Sequence, residues 1–119
     1  MGISSEFRGR VAEAAVEQYR IVKPGTAAMS CVKSSAATDK SIGTSDELDH
    51  VTGEVVDTSA SEIAKVRLGG TVAAGDALTS DANGKAIATT TIGHRIIGFA
   101  EIAGVLDDVI TYLRSPGVV

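Results

Sequence analysis

The sequence predicts a mainly all-β protein, a small β-barrel or sandwich with an internal pseudo-twofold repeat and an N-terminal arm or short helix. Three observations carry this. Apolar residues alternate with polar ones at period two from residue 19 onward, as in Ala64, Val66 and Leu68 set against Lys65 and Arg67. Gly is frequent (13 residues) and Pro scarce, which suits short strands joined by tight turns. The order of turn, hairpin, glycine-interrupted strand and alternating strand occurs twice.

Taken in order, residues 4–17 form the one helical candidate. Phe7, Val11, Ala14 and Ala15 recur at helical spacing, Ser4 or Ser5 can cap the start, and Gly9 weakens the segment. Residues 1–18 are therefore set apart as an arm, with residues 19–119 as the β-barrel-like domain. Strands are expected at 19–23, ending at Pro24-Gly25, and at 28–34, followed by a polar loop. Further strands are expected at 50–57, interrupted by Gly53, and at 62–68. Ala77-Leu78-Thr79 and Lys85-Ala86-Ile87-Ala88 flank Asn83-Gly84, a strong local hairpin signal. Residues 94–101 and 108–114 complete the set, which Ser115-Pro116-Gly117 is expected to end. An offset of about 45 residues superposes the repeat units, taken as 19–68 and 64–114. It pairs Gly53 with Gly98 and places His50 near the equivalent of His94. Closure of two such units on each other would bury their apolar faces and hide strand edges.

With 119 residues the chain fits one domain, and oligomerisation would cover surface that a core of this size leaves wet. The formal charge of −4, without a basic stripe, disfavours nucleic-acid binding. No apolar run reaches bilayer length, so no membrane partner is expected. No apolar stretch follows Met1-Gly2-Ile3-Ser4-Ser5-Glu6 to make a signal peptide, and a soluble, unprocessed protein is expected. A lone cysteine, Cys31, excludes an internal disulfide.

Candidate chemistry is thin. Cys31 lies among Ala28, Met29 and Val32, which favours an inert core thiol over a nucleophile paired with His50 or His94. No ligand spacing points to a metal, and no cofactor is expected. Asp46, Glu47 and Asp49 read as a solvated loop, since paired carboxylates work as acid and base only where a concave site perturbs them. Gly69-Gly70 and Gly75 lack the Lys and the helix of a phosphate-binding loop. Lys85 follows a hairpin turn but lacks the Met-Lys or Asp-Lys context of lipoyl and biotinyl carriers.

The run from Val66 to Ala86, with Ala74-Gly75-Asp76-Ala77-Leu78 at its centre, has a recognisable sequel. It is followed by Arg95-Ile96-Ile97-Gly98-Phe99-Ala100 and by Asp108-Val109-Ile110-Thr111-Tyr112-Leu113. In this order and spacing the chain resembles the cement (decoration) proteins of tailed-phage capsids, closely over residues 50–114 and loosely over 19–49. A Ser/Thr-rich stretch around 34–47 replaces the compact hairpin of that family.

The resemblance implies a small β-barrel-like virion protein that binds the outside of the assembled capsid as an oligomer, without an active site. The partners it implies are the major capsid protein and other copies of the chain, as a trimer rather than a dimer. On that basis the arm is a candidate clamp, with Phe7 and Val11 as buried anchors and Arg8 and Arg10 paired to acidic capsid groups. The alternative expectation is another phage β module, associated with a tail or spike.

Overall fold

The computed structural model describes residues 7–59 and 61–119. Among them every regular element is a strand, as the all-β expectation requires. The first half contains β1 (Phe7–Ala12), β2 (Ile21–Pro24), β3 (Ser30–Lys33), β4 (Gly43–Thr44) and β5 (Val55–Ser59). These form a closed barrel in the order β1-β3-β2-β4-β5, with β5 pairing back onto β1. The second half contains β6 (Ile63–Arg67), β7 (Ala77–Ser80), β8 (Ala86–Ala88), β9 (Arg95–Ala100) and β10 (Val109–Val118). Its sheet runs β6-β10-β9-β7-β8, and a parallel bridge between Leu68 and Ala86 ties the end of β6 to β8. Followed around that bridge, the second ring has the same strand order as the first.

The helix expected over residues 4–17 is replaced by a strand from Phe7 to Ala12; residues 4–6 lie outside the described residues. The reason is tertiary. β1 pairs antiparallel with β5 through Phe7–Ser59 to Val11–Val55, and parallel with β3 through Val11–Ser30 and Ala12–Cys31. Ladder bonds on both edges outweigh a weak helical periodicity that already contains Gly9. Residues 7–12 are thus a wall of the first barrel and not a separate arm.

The repeat is real in topology, but its register differs from the expected offset of about 45. Val16 bridges His50 as Val72, 56 residues on, bridges Gly104, 54 residues on. The Gly53 amide donates to the Ala12 carbonyl as the Asp107 amide donates to Leu68. Gly43 pairs with Val22 as Gly98 pairs with Leu78. Gly98 therefore corresponds to Gly43, Gly53 to Asp107, and His50 to Gly104. Two five-stranded units, 7–59 and 63–113, replace the units expected at 19–68 and 64–114.

Each half encloses its own core. The first gathers Ala12, Val16, Val22, Cys31 and Val56, while the second centres on Leu68, Leu78, Ile110 and Tyr112. Ala64, Val66 and Leu68 are buried as their alternation predicts. The halves are knit together: Ile21 of the first packs into the second core, and its amide donates to Gly84 O at 2.7 Å. The Arg67 amide donates to Tyr19 O and the Arg95 amide to Ala37 O. The Tyr112 and Thr44 hydroxyls meet at 3.3 Å in a buried site.

The hairpin β7–β8 forms as expected, with Gly84 at φ +74 and Asp81 Oδ1 accepting from the Asn83 and Lys85 amides. β10 runs past Ser115-Pro116-Gly117 instead of stopping there. A register shift between Arg114 and Gly117 holds Pro116 where its missing N–H leaves no gap in the ladder.

Candidate interaction surfaces

The groups with chemical potential are committed to structure. Cys31 is fully buried, and burial pushes its thiol above the ordinary value. His94 Nδ1 lies 2.6 Å from Thr89 Oγ1. His50 Nε2 sits 2.8 Å from Asp46 Oδ1, and that carboxylate also accepts from the Leu48 and Asp57 amides. Burial alone would raise the Asp46 carboxyl, but those amides and the imidazole outweigh it and hold the group below the usual carboxylate range. Asp46 is thereby the knot of its loop. Lys85 pairs with Asp107 at 2.6 Å, where a carrier lysine would stand free. Among the described residues no group of three or more His, Cys, Asp or Glu is disposed to hold a metal, and no helix is long and apolar enough to cross a membrane.

An open hollow of about 430 Å³ lies at the junction of the halves, lined by Tyr19, Thr44, Asp46, Asp57, Ile63 and Lys65 among others. Neither Cys31 nor a histidine reaches it. Its wall mixes apolar groups, Ile63 and Ala64, with hydroxyls, carboxylates and Lys65, so it suits a mixed polar and apolar segment.

The outer walls are more distinctive. Ile63 stands directly opposite Leu113, and Leu113 opposite Phe99, so three exposed apolar side chains form one row across β6, β10 and β9. On the first barrel, exposed Val11 stands opposite exposed Val55, and the Val11 amide donates to the carbonyl of exposed Met29. Two loops add further exposed apolar groups: Leu48 and Val51 in the first half, and Ile102, Val105 and Leu106 in the second.

Of the four residues assigned to a clamp, Val11 faces outward. Arg10 is opposite buried Val56 in the register, so it shares the face of that core residue, and its Nε is buried. The backbones of Phe7 and Arg8 pair with Ser59 and Thr58. The four belong to one strand, and on it Val11 and Arg10 lie on opposite faces. The loops at 46–54 and 101–108 were missed as a pair. The signal was present in Val51-Thr52-Gly53-Glu54-Val55-Val56 and Val105-Leu106-Asp107-Asp108-Val109-Ile110, which match at an offset of 54.

Comparison with solved structures shows a likeness of fold. The chain is similar to the crystal structure of the N base of the head fiber gp8.5 in bacteriophage phi29. The match spans 92% of each chain, with a TM-score of 0.71 and 19% sequence identity. No family matches the chain, and neither does any curated protein.

Proposed function

We propose that the protein is a non-enzymatic structural component of a phage particle, bound to the outside of the assembled capsid and stabilising it by bridging capsomers. The observation that carries this reading is the likeness of nearly the whole chain to the base of a phage head fiber. The order of the motifs from Val66 to Leu113, which resembles capsid cement proteins, supports it independently. So does the absorption of Cys31, His50 and Asp46 into packing and loop closure.

The physical logic is linkage. A protein that binds the mature shell and not its separated subunits stabilises the shell by mass action. A site shared by neighbouring capsomers exists only in the assembled arrangement, so binding selects that state. Many copies, each touching more than one subunit, resist separation together. The partner in this reading is the major capsid protein, with the particle's outer surface as location and the host cytoplasm as place of synthesis. Copies of the chain associate with one another, as a trimer rather than a dimer, and the Ile63–Leu113–Phe99 row suits such a contact. Phe7, Arg8 and Val11 are retained as capsid contacts.

The test is to melt purified shells of the parent phage with and without added protein. Because residues 7–12 form a barrel wall, the informative truncation removes residues 1–6 only. Raised shell stability with the full chain supports the reading, and loss of that effect on truncation assigns the clamp to the terminal residues. Shells that melt unchanged and carry no bound protein defeat it.

A further inference from the structure

The two halves agree at an exposed place. The loop between β4 and β5 presents Leu48 and Val51, which are 60% and 65% exposed. The loop between β9 and β10 presents Ile102 and Val105 at the corresponding positions, 52% and 55% exposed. Each valine is held by the same capped turn. The Val51 amide donates to Glu54 Oε1 at 2.9 Å, and the Glu54 amide returns to Val51 O at 3.1 Å. The Val105 amide donates to Asp108 Oδ2 at 2.9 Å, and the Asp108 amide returns to Val105 O at 3.0 Å. The same pair of exposed aliphatic residues thus stands at the tip of the same loop in both halves, giving the molecule two matched apolar tips.

The spacing of the loops is also fixed. Asp49 Oδ1 accepts from the Gln18 amide, Gln18 Oε1 accepts from Arg67 Nη2, and Arg67 Nη1 donates to Asp107 O. This polar chain crosses the junction of the halves and joins one loop to the other. Both loops are acidic. Residues 46–54 hold Asp46, Glu47, Asp49 and Glu54, residues 101–108 hold Glu101, Asp107 and Asp108, and neither stretch contains Lys or Arg. Asp107 is paired with Lys85, and the His50 imidazole lies against Asp46 and Glu54 within the first loop.

We propose that these two loops are twin docking knobs for a protein surface that presents one apolar hollow twice, each hollow rimmed by Lys or Arg. A duplicated pair of knobs at fixed spacing fits two copies of one subunit in an ordered array. The inference rests on the reading of the protein as a shell component and adds these two loops to its capsid contacts. Engaging the first hollow places the second knob at high effective concentration over its own, so affinity comes from the pair.

The test measures binding of the full chain and its variants to purified shells of the parent phage at low and moderate salt. Leu48→Ser/Val51→Ser and Ile102→Ser/Val105→Ser should each weaken binding about 100-fold by removing one of two linked contacts, and the fourfold variant should not bind. Ile92→Ser, at a residue 89% exposed and outside both loops, should bind as the parent protein does. Glu47→Lys with Glu101→Lys, both exposed positions, should weaken binding most at low salt, because the rim charges then repel. This charge pair decides the question if an apolar variant loses its native melt. Parent protein that ignores the shells overturns both the shell reading and the knobs. Parent protein that binds, with every loop variant binding within twofold of it, leaves the shell reading standing and overturns the knobs.

Discussion

Gly98 and Gly43 occupy the same place in the two halves, and replacing either by alanine tests whether β9 crosses β10, and β4 crosses β5, as closely as described. A Cβ on Gly98 would collide with the Leu113 carbonyl oxygen and stand 2.9 Å from both the Leu113 carbonyl carbon and the Ser115 nitrogen. A Cβ on Gly43 would stand 2.5 Å from the carbonyl oxygen of Ser59, the counterpart of Leu113. All of these are backbone atoms of the neighbouring strand, so no side chain can swing aside. Carbon contacts are optimal at about 3.5–4.0 Å, so β10 must retreat from β9 by ~1 Å. Such a shift takes the adjacent ladder bonds out of hydrogen-bond range. Two lost bonds at ~1 kcal/mol each, with overpacking strain of about 1–3 kcal/mol, predict a destabilisation of roughly 3–5 kcal/mol for Gly98→Ala. At about 4 °C per kcal/mol for a chain of this size, the Tm should fall by roughly 12–20 °C. Gly93→Ala is the control: its φ is +94 but nothing lies within 4 Å of the added methyl, so only the left-handed penalty of about 1–2 kcal/mol applies. Thermal melts followed by circular dichroism decide. If Gly98→Ala melts no lower than Gly93→Ala, the close crossing of β9 and β10 is wrong.

Two further outcomes follow from single groups. Glu13 accepts hydrogen bonds from the Ala27 amide, the Ser30 hydroxyl and the Thr26 amide and hydroxyl, which lower its carboxyl from 4.5 to about 2. A depressed carboxyl stabilises the fold fully above its unfolded value and loses that contribution as pH falls through the folded one. The stability gap between the parent protein and Glu13→Gln should therefore be constant at neutral pH and close between about pH 4.5 and 2 in urea titrations; a gap that persists at pH 2 contradicts the assignment. Cys31, buried with a raised pKa, should resist a thiol reagent in the native protein at pH 8 and react promptly in denaturant; rapid native labelling would show that the first core is open.

The strands that carry their own pattern were legible, and those that depend on partners were not. Alternation at 62–68 marks β6, and Asn83-Gly84 marks the β7–β8 hairpin, because in both the signal is local. β1 was hidden because its two neighbours, β3 and β5, come from distant parts of the chain, and nothing within Phe7–Ala12 records them. β4 is two residues long, too short for any periodicity. The repeat was visible as vocabulary but misregistered. Glycine turns and Val-rich strands recur often enough that an offset of 45 collects matches, whereas the true offset drifts from 56 at Val16–Val72 to 54 at His50–Gly104. A shared backbone conformation does not require a shared residue type. Gly53 at φ +92 corresponds to Asp107 at φ +69, and Tyr19 at φ +54 corresponds to Gly75 at φ +89. Identity searches fail at these positions although the geometry is kept.

That same drift bears on how the protein would hold a partner. The two halves repeat one strand order, yet particular residues do different things in each. Ile21 was given over to the core of the other half, and Arg67 became the tie that reaches Tyr19, Gln18 and Asp107. These changes fix the two barrels against each other, which a pair of beads on a linker would not achieve. A rigid pair loses little conformational freedom when its second contact forms, so weak apolar knobs suffice where flexible ones would not. Substituting Arg67 by Met should therefore weaken shell binding while leaving each loop's own capped turn intact. If binding is unchanged, the spacing of the halves plays no part in recognition, and the loops would have to act one at a time.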